Sequence, residues 1–169
     1  ATTGEKTDTH VIKNIRLILP RAAEAYDDFL PDSFQGIPVV FEPLLNDIGY
    51  RGTISKVQDP CPECIDEETF QFVLDDGTEI YNDGERIITH AISGMGTWSY
   101  NKDDKKVTFV AESTFKDKEA RIRYNVKGGK GGESPYNQEA YRSTPATIGV
   151  KIIENPNPPA GIMITNKMV

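Results

Sequence analysis

The chain is poor in the side chains that most often carry chemistry: two histidines, two cysteines and one tryptophan in 169 residues. It has no run of about 18 apolar residues, so no helix is expected to insert into a membrane. Clustered lysine and arginine are also missing. With a formal charge of −7, the chain lacks the concentrated positive charge that neutralises a phosphate backbone, which argues against nucleic acid as a partner. Cations, or basic or neutral surfaces, suit that charge better. Residues 1–6 are polar and unlike a secretory signal, as in a mature segment cut from a larger exported protein. Enzymatic signatures are scarce. His10 and His90 have no serine or cysteine elbow to serve, and the glycine run at 128–132 lacks Walker spacing and a following Ser or Thr. A flexible loop and no enzymatic activity are the expectations.

Turn chemistry is abundant. The 14 Gly and 11 Pro punctuate the chain every few residues, which favours many short strands over long helices. The length suits one core with trimmings. Strand-length β-branched or aromatic runs fall at 38–45, 52–57, 69–74, 79–81 and 86–92, with a weaker one at 15–19. Pro43 cannot donate to a ladder and points to an edge or bulge. Asp76-Gly77 and Asp83-Gly84 supply the positive φ of tight hairpin turns. The runs 96–100 and 106–110 form a further hairpin, with Trp98 and Tyr100 on one face opposite Val107 and Phe109. Along 118–126, Ala120, Ile122, Tyr124 and Val126 alternate with polar residues, predicting one buried and one wet face. A last strand at 146–152 follows a long polar connection, and the stiff Pro-rich sequence from Asn155 follows that strand. About nine strand signals and scarcely any helix signal predict an all-β fold, an antiparallel Greek-key sandwich of the Ig-like kind; a barrel of the same strands is the alternative. The expected core includes Trp98, Phe109, Ile122, Tyr124, Ile148 and Val150.

Cys61 and Cys64 form a Cys-Pro-Glu-Cys tetrapeptide with three competing readings: a local disulfide, half of a zinc site, or a redox pair. Oxidising compartments retain such pairs as disulfides, which puts that reading first. Zinc needs about four ligands, and neither histidine has metal-ligand spacing to the pair. A thioredoxin-like role expects a helix start within a βαβ unit.

Several pieces occur in an order that resembles the CshA-type fibril repeat and other Ig-like or cadherin-like repeats of large bacterial surface adhesins. They are Ala25-Tyr26-Asp27-Asp28, Leu44-Leu45-Asn46-Asp47-Ile48, Leu74-Asp75-Asp76-Gly77-Thr78 and Gly94-Met95-Gly96-Thr97-Trp98 followed by Val107-Thr108-Phe109. Phe115, Tyr124-Asn125-Val126 and Ser143-Thr144-Pro145-Ala146-Thr147-Ile148-Gly149-Val150 complete the series. The stretches 59–68 and 128–142 depart from the pattern, the first as an insertion and the second as a longer, more aromatic loop. The resemblance implies a flank at 1–21, a module at 22–154 and a linker at 155–169. It also implies an extracellular, cell-surface spacer or adhesion module whose partners are neighbouring repeat modules, and it implies no catalytic residue.

Related repeats hold calcium at module junctions, and Asp27, Asp28 and Asp47 offer the hard oxygen ligands Ca²⁺ takes. Paired aspartates also make Asx turns with no ion. The competing functional class is a ligand-binding module that recognises a glycan or a host-surface protein through the 128–142 loop. Tyr136, Asn137 and Tyr141 would supply amphipathic area and adaptable hydrogen bonds, unless the tyrosines fold back as a cap.

Overall fold

Apolar residues at every second position give strands with one apolar face, and two such faces must meet to leave water. In the computed structural model, which describes residues 19–52, 58–81 and 84–157 together with Gly4 and Lys13, they meet as a β-sandwich. Eleven strands are present among the described residues, with no α-helix. In chain order they are β1 (Asp28–Phe34), β2 (Val39–Phe41), β3 (Gly49–Arg51), β4 (Asp59–Cys61), β5 (Asp66–Val73), β6 (Glu79–Ile80), β7 (Ile87–Ile92), β8 (Gly96–Asn101), β9 (Lys106–Ala111), β10 (Lys118–Lys127) and β11 (Ala146–Ile153). One sheet runs β1-β11-β10-β5-β6, the other β2-β9-β8-β7, and β3 with β4 makes a small ribbon. The strand expected at 52–57 lies outside the described residues apart from Gly52, and that at 15–19 apart from Leu19; His10, Asp83 and the tail beyond 157 lie outside them too.

The hairpin of β8 and β9 has the expected register, with Trp98 opposite Phe109 and Tyr100 opposite Val107. Strand β10 alternates as expected through Ala120, Ile122 and Tyr124. Gly77 takes φ +85° in the β5–β6 turn, as its Asp-Gly pair anticipates, but Asp76 does not share the positive φ expected of it, so the turn is not the expected type I′. Pro43 stops β2 at Phe41 and starts a short 3₁₀ turn, so the strand expected at 38–45 is shortened.

One element departs from the expected antiparallel pairing, and a second pairing was not expected at all. Strand β1 was not foreseen, and it runs parallel to β11, pairing Asp28 with Ile148 and Phe34 with Ile153 across an irregularity between Leu30 and Ser33. Pro31 falls within that irregularity, where its missing N–H interrupts the ladder at the sheet edge. The antiparallel β3–β4 ribbon pairs Gly49–Arg51 with the start of the stretch at 59–68 that departs as an insertion, with Gly49 opposite Cys61. A Cβ on Gly49 would lie 3.0 Å from the Cys61 carbonyl oxygen and 3.1 Å from Cys64 Cβ, so this close crossing requires glycine.

The two inner faces are dry. All six residues expected in the core are buried, and Phe70 links the sheets by stacking on Tyr100 at 3.8 Å and on Tyr124 at 5.1 Å between centroids. A second aromatic group joins Trp98 to Phe109 at 4.4 Å and to Phe41 at 5.9 Å. Such pairs add about 0.5–1.5 kcal/mol each beyond the burial of their area.

Candidate functional site

Of the three aspartates expected to share a cation, Asp28 and Asp47 meet at one hydroxyl and Asp27 stands apart. Asp27 Oδ1 accepts the Thr147 N–H at 2.8 Å, which ties the approach to β1 onto β11. Asp47 turns inward, 1% exposed, and accepts the Tyr26 N–H at 2.9 Å. The Tyr124 hydroxyl lies 2.9 and 3.0 Å from the two Asp47 oxygens, 3.1 Å from the Pro43 carbonyl and 3.4 Å from Asp28 Oδ2. Asp28 also accepts from the Asn46 amide at 3.0 Å. The result is two carboxylates around one phenol. Burial pushes the Asp47 carboxyl up to about 7 and that of Asp28 up to about 6, with smaller upward contributions from the charge of Asp28 on Asp47 and of Asp27 on Asp28. No group of three His, Cys, Asp or Glu side chains among the described residues is placed to hold a metal ion. The convergence that the calcium expectation needs is therefore replaced by a hydrogen-bonded clamp fastening the segment before β1 and the turn after β2 to β10.

Cys61 and Cys64 are joined in a disulfide across the turn that follows β4. Cys61 is fully buried, and the Cys64 carbonyl accepts the Lys130 N–H at 3.1 Å, so the bridged turn also holds the long loop. A thiol assay on unreduced, denatured protein is expected to return no free thiol, and two thiols per chain would overturn the pairing.

The 128–142 loop is tied down along its length. Tyr136 is buried and donates its hydroxyl to the Gly52 carbonyl at 3.1 Å, so it caps the fold and offers no contact surface, against the ligand-binding expectation. Asn137 is half-buried, with its N–H given to the Glu133 carbonyl at 3.1 Å. Tyr141 is half-buried as well, and its carbonyl accepts the Ala23 N–H at 3.1 Å. Gly129 sits at φ +71°, and a Cβ there would lie 2.5 Å from the Asn137 nitrogen, so the loop folds onto itself only with glycine at that position.

The far side of the same loop builds a feature that the sequence reading missed. Arg142 reaches back over the outer face of the five-stranded sheet, donating to the Thr69 carbonyl at 2.7 Å and to Asn125 Oδ1 at 3.3 Å. Asn125 pairs across the strands with Gln71. Strand alternation puts Gln71 on the wet face, yet it is only 4% exposed, and its amide nitrogen is buried without a hydrogen-bond partner. Beside it lies a cleft of about 520 Å³ lined by Glu68, Thr69, Gln71, Glu79, Tyr81, Lys102, Lys127, Glu139 and Arg142, with Phe70 at its base. Arg142 binds Glu139 through two contacts of 2.9 Å, Lys127 reaches Glu139 at 3.0 Å, and Lys102 lies 4.0 Å from Glu68. Arg142, helped by Lys127, holds the Glu139 carboxyl down to about 2. The available sequence signal was the polar Gln71 between Phe70 and Phe72, but strand period alone leaves such a residue exposed. No family model matches the chain, and no curated protein matches it.

Proposed function

We propose that the chain is a spacer or adhesion module of an extracellular surface fibril, in keeping with its resemblance to CshA-type repeats, and that its role is mechanical and not catalytic. One observation carries this reading: the first and last strands of the sandwich, β1 and β11, are parallel neighbours. The chain comes in beside Tyr141, at the end where β11 starts, and leaves after Ile153, at the other end. Tension on the two chain ends then pulls β1 and β11 lengthwise in opposite directions. Their hydrogen bonds are sheared together instead of opening one after another, and opposite points of attachment suit modules strung end to end. The disulfide agrees with an oxidising, extracellular compartment.

Pulling single molecules by their termini tests this. The sandwich is expected to unfold in one cooperative high-force step, whereas gradual opening at low force would sink the reading. Gly149→Val is the companion experiment. A Cβ at Gly149 would lie 2.6 Å from the Phe29 ring, so the variant pushes that ring off β11, weakens the packing between the two strands and is expected to lower the unfolding force. Unchanged force in that variant would show that the terminal pair carries no tension.

A further inference from the structure

The cleft on the outer face of β5 and β10 is unexplained by a mechanical role, since a module that transmits tension need not bind anything. We infer that it is a binding site for a neutral saccharide, with Tyr81 as the stacking platform and the Gln71 amide as a hydrogen-bond donor.

Charge excludes the first alternatives. Lys102, Lys127 and Arg142 are matched in number by Glu68, Glu79 and Glu139, and all three cations already face a carboxylate of the cleft. An anion would have to break one of these pairs on entering and would leave a partly buried charge behind, whereas a cation would meet only the exposed Glu79, the one carboxylate of the cleft outside these pairs, where water screens the attraction. A hydroxyl breaks none of them, because it donates to a carboxylate and accepts from an ammonium or guanidinium at once. The lining is too polar to prefer an apolar ligand.

Geometry supplies the positive case. The cleft volume of about 520 Å³ falls in the range of small-molecule sites, with room for a mono- or disaccharide. Tyr81 follows Ile80, whose partner across the ladder is Phe72; one step along reverses the face and sets Tyr81 on the side of Gln71. The residue is 57% exposed, and its ring offers a flat amphipathic surface for the C–H face of a sugar ring. Beside the cleft, the Gln71 amide nitrogen is a covered donor lacking an acceptor, a deficit that costs stability until the amide turns to meet an oxygen in the cleft.

The experiment is a side-chain amide and aromatic NMR titration of the full chain. The probes are the methyl glycosides of glucose, galactose and mannose, N-acetylglucosamine, lactose and cellobiose, each taken well into the millimolar range, with a sulfated heparin disaccharide as the anionic comparison. At least one neutral probe is expected to move the Gln71 side-chain amide and the Tyr81 ring resonances together. Tyr81→Ala, at an exposed position that leaves the core untouched, is expected to weaken that binding about tenfold, the equivalent of one good ring contact, while Tyr81→Phe retains it. The inference is overturned if no neutral probe shifts Gln71, if Tyr81→Ala binds as the parent does, or if only the sulfated disaccharide binds and salt removes it. None of these outcomes touches the force measurement, so this site and the spacer role fail or stand separately.

Discussion

Replacing Trp98 by alanine is expected to lower the stability of the fold by about 3–5 kcal/mol, the range for deleting a large aromatic from a core. That is a substantial part of the roughly 5–15 kcal/mol that holds most domains folded. Trp98 lies on β8, fully buried between Phe109 and Phe41, and neither neighbouring strand can close over the space because each is fixed by its own ladder. The indole nitrogen is buried without a hydrogen-bond partner. Trp98→Phe therefore removes an unpaired donor along with some packing, and is expected to cost well under half as much as the alanine variant. Urea titrations followed by circular dichroism measure both, with an unchanged denaturant slope confirming that the folded state is the same. Trp98 is the only tryptophan, so parent emission at the wavelength of an exposed indole would contradict the placement on which the prediction rests.

The residues that govern this core could be read from periodicity, because alternation is a local property: Trp98 and Tyr100, Val107 and Phe109, and Ala120 to Tyr124 each declare a face within a few positions. Features that depend on distant partners could not be read that way. Strand β1 holds Pro31 and exposes Phe29, Leu30 and Phe34, so no local pattern marks it; β11, more than a hundred residues later, supplies its ladder. Tyr136 lies in a polar, glycine-rich loop and resembles a contact residue until the Gly52 carbonyl, 84 positions away in sequence, receives its hydroxyl. Gln71 is covered only because Arg142 folds across the sheet. The placement of the aspartates was hidden for the same reason. Their acidity is visible in sequence, while the phenol between them, 77 positions from Asp47, is not.

Stability is expected to fall as pH rises from about 5 to 8, by roughly 2–4 kcal/mol, through the carboxylates around Tyr124. In an unfolded chain an aspartate releases its proton near pH 3.9, whereas burial holds Asp47 protonated up to about 7 and Asp28 up to about 6. Between those limits the folded state binds protons that the unfolded state has lost, so raising the pH favours unfolding until both carboxyls have titrated, above which the term is constant. The two share one hydroxyl. Glu139 works in the opposite sense. Arg142 depresses its pKa to about 2, so its contribution is present above the unfolded carboxyl value and is lost as pH falls from about 4.3 toward 2. A maximum near about pH 4 follows from the two trends. Asp47→Asn is the decisive variant. Its amide oxygen can still accept from the Tyr26 N–H and the Tyr124 hydroxyl but carries no charge to desolvate, so it is expected to flatten the slope and to match or exceed the parent at pH 8. Asp47→Ala removes the acceptor from both donors and is expected to destabilise at every pH, by about 1–3 kcal/mol. Urea midpoints measured from pH 4.5 to 8.5 read all three proteins, and a parent curve flat between pH 5 and 8, or an Asp47→Asn curve that keeps the parent slope, would mean that these carboxyls are solvated well enough to ionise at their ordinary pH.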